Sequence, residues 1–220
     1  MSAYVLIAGQ LDQNSKKRAQ MYSSLVLGRI VLGELEARIP GLDGHAGERR
    51  VKGALRAVNA DLSTVDPVHG LRLAVEVKPV LLAVGKAVWN RFGDIVTFAV
   101  NLHLGSPPAV LGALVPVSTW EEVPRPGGRP RDRTGLVARL AAAFAGIRGR
   151  QTATDSPHLL EAIGLVAFNP LAGGIVPDLP PIGTGLRWEE FIDQLVIAYQ
   201  QRFGTQAVGS PRYGSGRLRP

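Results

Sequence analysis

Apolar residues recur along this chain with two different periods, and the changes of period divide it into elements. From about Asp12 to Ile39, Met21, Leu25, Ile30, Leu32 and Leu35 return at three- and four-residue steps, the spacing of one helix face. Pro40-Gly41 should end that helix. Residues 42–58, which include Glu48-Arg49-Arg50 and Lys52, fit a short strand or a helix equally. Ala60–Asp66 and Leu71–Lys78 alternate as strands around Pro67-Val68-His69-Gly70, where proline fixes φ and glycine closes the turn. Pro79 ends the second strand.

The helical period returns from about Leu82 to Leu104. Val84, Val88, Phe92, Ile95, Ala99 and Leu102 form one stripe, with Lys86, Asn90, Asp94, Thr97 and Asn101 opposite. Trp89, Val96 and Val100 add a second apolar flank, more than one packing face requires. Pro107-Pro108 breaks the helix, and Ala109–Val117 reads as a buried strand. A polar loop over Glu121–Arg133 precedes a helix from Thr134 to about Ile147. A strand follows at Ile163–Phe168, then a Gly/Pro-rich loop, and a helix at Trp188–Phe203 with Phe191, Leu195, Val196, Tyr199 and Phe203 in register. This succession is α/β. It predicts one domain over residues 1–205 and a mobile basic tail over 206–220.

Composition narrows the chemistry. There is no cysteine, which excludes a thiol nucleophile, a disulfide scaffold and a Cys-based zinc site. The four histidines, His45, His69, His103 and His158, have no helix-borne metal spacing, and His103 at a helix end reads as structural. No phosphate loop, dinucleotide fingerprint or nucleophile elbow is present, so no nucleotide cofactor is expected. The 25 Lys and Arg against 18 Asp and Glu leave a net charge of +7, which favours a polyanionic partner. Without a long apolar run or signal peptide, the expectation is a cytoplasmic protein with no membrane contact.

The informative stretch is the hairpin. If Asp66 lies opposite Leu71, then Asp61 faces Glu76, and strand alternation gathers Asp61, Ser63, Arg72, Ala74, Glu76 and Lys78 on one side. Leu62, Thr64, Leu71, Leu73, Val75 and Val77 fall on the other. Two opposed carboxylates repel, and a divalent cation between them reverses the sign. Oxygen ligands with water suit Mg²⁺, and Lys78 is placed to hold an attacking water. Such a site hydrolyses phosphodiesters. A slip of one residue would put Asp61 and Glu76 on opposite faces.

At Asp61 and at Glu76-Val77-Lys78 the sequence resembles the PD-(D/E)XK nuclease superfamily. The resemblance covers about residues 15–118 and implies a restriction-endonuclease-like αβββαβ core, a mixed central sheet flanked by helices. Ala60 stands where the motif has proline, a position without metal contact. The compact layout looks most like a type II restriction endonuclease, which implies a Mg²⁺-dependent, sequence-specific homodimer cutting double-stranded DNA to 5′-phosphate and 3′-hydroxyl ends. Asp61, Glu76 and Lys78 are then the catalytic residues. Asp61 and Glu76 hold the metal, joined by an acidic residue of the first helix, Glu34, with Glu36 as its rival. Asp66 reads as a turn residue.

Candidate DNA contacts are Lys86, Asn90 and Arg91 on the second helix and Arg125, Arg129, Arg131 and Arg133 in the loop, because Arg suits both phosphate and guanine. Lys16-Lys17-Arg18 is a weaker case. The second flank of the 82–104 helix, or the 188–203 helix, is the candidate dimer surface. Two other readings stay open: a structure-selective repair or junction-resolving nuclease, and a non-catalytic basic DNA-binding protein.

Overall fold

The structure, a computed structural model, describes residues 16–81, 84–121 and 129–204, with side chains of the first helix from Ser24 onward. The tail, Arg125, Leu82 and the side chains of Met21 and Lys16-Lys17-Arg18 lie outside the described residues. The elements run α1 (Lys16–Arg38), β1 (His45–Val51), β2 (Val58–Asp66), β3 (Gly70–Val77), α2 (Val84–Gly105), β4 (Val110–Ser118), β5 (Trp120–Glu121), β6 (Arg131–Asp132), α3 (Thr134–Ala145), β7 (Ala162–Asn169), β8 (Gly174–Ile175) and α4 (Trp188–Phe203). The fold is α/β.

Six strands form a mixed sheet in the order β1-β2-β3-β4-β7-β8. β1, β2 and β3 are antiparallel neighbours, β3-β4 and β4-β7 are parallel, and β8 is antiparallel to β7. The segment left open between strand and helix is β1. Every residue of β4 is buried, as expected of a parallel strand covered on both faces.

Helices pack on both sides. Val84, Val88, Ile95, Ala99 and Leu102 of α2 join Val137, Leu140 and Phe144 of α3 over Ala74, Ala113, Val115 and Leu165. Leu27, Val31 and Leu35 of α1, with Ile39 just beyond its end, join Phe191, Ile192 and Leu195 of α4 over Leu62, Leu73, Val75 and Leu114. The buried stripe of α1 differs from the expected one, since Ile30 is exposed. Leu and Val occur on several sides of this helix, and close approach to the sheet selects among them. Gly28 allows that approach: a Cβ there would lie 3.0 Å from the Asp61 carbonyl oxygen.

Gly112 and Gly164, on neighbouring strands, leave the space that Phe191 fills. A Cβ at Gly164 would lie 3.0 Å from Phe191 Cγ and 2.9 Å from Leu114 Cδ1. Gly164→Ala is therefore expected to cost about 1–3 kcal/mol by overpacking, read as a lower urea midpoint with an unchanged slope.

No helix among the described residues is long and apolar enough to cross a membrane. On α2, Trp89 is exposed while Val96 and Val100 are half-buried.

The hairpin departs from expectation at its turn end. Asp66 pairs with Gly70 instead of Leu71, and the register shifts between Thr64 and Val65, leaving Arg72 as the extra residue. An inserted residue reverses the faces beyond it. Leu71 accordingly packs on the α2 side. Arg72 leaves the carboxylate face, pairs with Asp66 at 2.7 Å and lies over the Phe203 ring. Asp66 closes the turn by accepting the Val68 and His69 N–H groups, each at 2.8 Å.

Candidate active site

The irregularity in the hairpin comes after the residues that matter most. Leu62 pairs with Val75 and Ser63 with Ala74, and that register carries Asp61 across from Glu76. Both carboxylates and Lys78 open on one cleft of about 590 Å³ between the β1–β3 sheet and Asp94, Thr97 and Phe98 of α2.

Asp61 and Glu76 are buried, at 9% and 6% exposure. Asp61 Oδ2 accepts the Val77 N–H at 2.7 Å, which fixes the carboxylate against the next strand. Burial nonetheless holds its pKa above the ordinary value, opposed by that N–H and by Lys78, with Glu48 adding to the rise. Glu76 is pushed up to about 7, chiefly by burial, against the pull of Lys78, with Asp61 and Asp94 raising it further. Its Oε1 is ion-paired with Lys78 Nζ. Its Oε2 is buried with no hydrogen-bond partner, a costly state for a charged oxygen.

These residues fit a divalent cation. An unpartnered carboxylate oxygen and a second carboxylate face one open cleft, and burial disfavours the charged form of both, a cost that a bound cation would offset. Among the described residues no three His, Asp or Glu side chains form a ready metal cage. Mg²⁺ is commonly held by one or two carboxylates while it keeps several waters and meets substrate phosphate.

No protein family, curated protein or solved structure matches this chain.

The other expected site residues are scattered. Glu34 does not join Asp61 and Glu76. It lies on α1, which covers the opposite face of the sheet, where it pairs with Arg38 at 3.4 Å and borders a second, more apolar cavity beside Trp188. Glu36 is on the same helix and exposed. The alternation of β2 and β3 dictates this outcome: the face that buries Leu62 and Val75 against α1 is the face away from Asp61 and Glu76.

Lys86 and Asn90 are exposed on α2, outside the cleft lining. Arg91 pairs with Asp94 at 2.8 Å. Arg129 and Arg131 are exposed, and Arg133 is engaged by Glu121. His103 is buried beside Glu161 and is not part of this cleft lining.

Four cleft residues escaped the sequence reading: Glu48, Arg50, Arg56 and Asp94 as a partner of the carboxylates. Glu48 lies in a register irregularity between Ala46 and Arg49, next to Gly47 with φ of 126°. It accepts a hydrogen bond from Asn59 Nδ2 at 3.3 Å. A bulge erases strand alternation, so the strand was hidden; the sequence signal for it was the Gly-Glu pair followed by two arginines. Asp94 was placed on the polar side of α2, and only the sheet beneath shows that this side roofs the carboxylates.

Proposed function

We propose that this chain is a Mg²⁺-dependent endonuclease of the PD-(D/E)XK type that hydrolyses phosphodiester bonds of double-stranded DNA. In this reading it acts at defined sequences as a homodimer, in the manner of type II restriction enzymes. The observation that carries it is the meeting of Asp61, Glu76 and Lys78 in one open cleft. The succession α1-β1-β2-β3-α2-β4 agrees with the αβββαβ order of that superfamily, and the net charge of +7 suits a polyanionic substrate.

A bound Mg²⁺ would lower the pKa of a water and neutralise a phosphoryl oxygen. Asp61 and Glu76 are the residues that would hold it, with Asp61 kept in place by the Val77 N–H. Lys78, which pairs with Glu76 in the cation-free protein, would be freed if that carboxylate held the cation and would orient the attacking water by donating a hydrogen bond. Water adds to phosphorus as it gives up a proton to solvent, the P–O3′ bond breaks, and the leaving oxygen takes a proton from solvent water to give the 3′-hydroxyl beside a 5′-phosphate.

Digestion of several unmethylated plasmid and phage DNAs tests the reading. Discrete Mg²⁺-dependent fragments are expected from the wild type, a loss of about 10²-fold or more in Lys78→Ala, and no cleavage by Glu76→Ala. Intact DNA under every condition would overturn it. Cleavage confined to branched DNA would keep the chemistry and remove the sequence-specific assignment.

A further inference from the structure

Two cations that neighbour the carboxylate cleft differ in one respect from several other arginines of the molecule. Arg38, Arg91, Arg133, Arg150 and Arg202 are all held by carboxylates. Arg50 and Arg56 line the cleft with Asp61 and Glu76, yet neither guanidinium has an ion pair or hydrogen bond among the described residues. Glu48 is near enough to Asp61 to raise its pKa, and Arg50 still makes no pair with it. Two uncommitted guanidinium groups therefore share a cleft with buried carboxylates.

The positions of both arginines are built in. Arg50 lies on β1 opposite Asn59, which strand alternation places on the same face as Asp61. Arg56 lies in the β1–β2 connection, whose backbone is tied to α2 through Asn101. That side chain is buried, at 1% exposure. Its Oδ1 accepts the Leu55 N–H at 2.8 Å and the Arg56 N–H at 3.2 Å, and its Nδ2 donates to the Arg56 carbonyl at 2.8 Å. The Asn101 carbonyl accepts the Ala54 N–H at 2.9 Å. Both faces of the Arg56 peptide are thus satisfied by one side chain. Asn101, expected on the polar side of α2 opposite the apolar stripe, is buried beneath this connection, where its amide needs partners and serves as donor and acceptor at once.

Holding a loop this firmly costs conformational entropy, and the loop presents a cation with no protein partner. We propose that Arg50 and Arg56 form a phosphate-binding wall of the cleft, gripping backbone phosphates that adjoin the scissile one, and that Asn101 is a positioning residue acting through Arg56. The inference rests on the nuclease reading and assigns its substrate grip to the β1–β2 region instead of the arginine-rich segment after β5. Phosphate contact, unlike base contact, carries no sequence information.

The test is fluorescence anisotropy with two unrelated duplexes of about 20 base pairs, in Ca²⁺ to suppress turnover, across a salt titration. Each of Arg50→Ala and Arg56→Ala should weaken both duplexes equally and reduce the slope of log K against log salt by about 0.9. Arg56→Lys should retain most of the slope, because Lys still binds phosphate as a point charge. Asn101→Ala should resemble Arg56→Ala, and combining the two should lower the slope no further. Terbium luminescence, reporting cation capture by the carboxylates, should persist in every variant that keeps the wild-type circular dichroism. A wild-type slope in the Arg50/Arg56 double variant, or weakening of one duplex only, would overturn the phosphate wall while leaving the nuclease reading intact. Failure of the wild type to bind either duplex would overturn both.

Discussion

Glu76→Gln is expected to stabilise the cation-free protein by about 2 kcal/mol at pH 8 while ending Mg²⁺-dependent cleavage. Burial lifts the Glu76 carboxyl from an ordinary 4.5 to about 7. The folded chain therefore holds this proton more tightly than the unfolded chain does. Below about pH 4.5 both states are protonated and the group costs nothing. Between 4.5 and 7 the unfolded chain releases the proton first, so stability falls as pH rises, and above about 7 the penalty is complete.

A shift of that size, already net of the pull of Lys78, sets a ceiling of about 3 kcal/mol. Urea denaturation in chelator at pH 5 and pH 8 measures the effect: the variant should exceed the wild type most at pH 8, with the gap shrinking toward pH 5. Adding Mg²⁺ should raise the wild type by about 2.7 kcal/mol at a hundredfold excess over its dissociation constant, and leave the variant unmoved. A variant less stable than wild type at pH 8 would refute this account of the site.

Glu161→Ala should have the opposite and larger effect, a loss of about 3–5 kcal/mol. Glu161 is fully buried just before β7, with Arg202 Nη1 at 2.6 Å and Arg150 Nη1 at 3.1 Å from Oε1. Its Oε2 accepts the Leu111 N–H at 2.7 Å and lies 3.3 Å from His103 Nε2. Burial by itself would raise its pKa, but His103, Arg202 and the Leu111 N–H outweigh it and the net shift is downward. The carboxylate joins α2, β4, β7 and α4 at the start of the parallel strands. Without it two buried guanidinium groups and a backbone N–H lose their shared acceptor. Thermal and urea melts at neutral pH measure the loss, and a change under about 1 kcal/mol would mean that water reaches these arginines.

Legibility in the sequence followed the strength of the alternation. β2 and β3 bury one whole face, so Leu62 and Val75 fixed their pairing and brought Asp61 to Glu76. Beyond Thr64 the bulge at Arg72 was invisible, because either residue of Leu71-Arg72 suits a half-buried strand end. Glu34 looked available because a helix polar face gives no sign of which side of a sheet it will cover. Glu48 was hidden by the irregularity at Gly47, and Asn101 because its hydrogen bonds serve a loop far away in sequence. Glu161 stood alone before an apolar strand, and its three basic neighbours come from three separate segments, two of them, at His103 and Arg202, distant in sequence.

β1 has a second consequence. It is the outermost strand on its side of the sheet, and such a strand offers unpaired backbone groups to any neighbouring molecule. Its register irregularity and the run Glu48-Arg49-Arg50 are the features that discourage another chain from adding to an open sheet edge. Charges that line the cleft thus sit on the strand with the open edge, so replacing Glu48 or Arg50 is expected to change the protein's tendency to self-associate as well as the cleft.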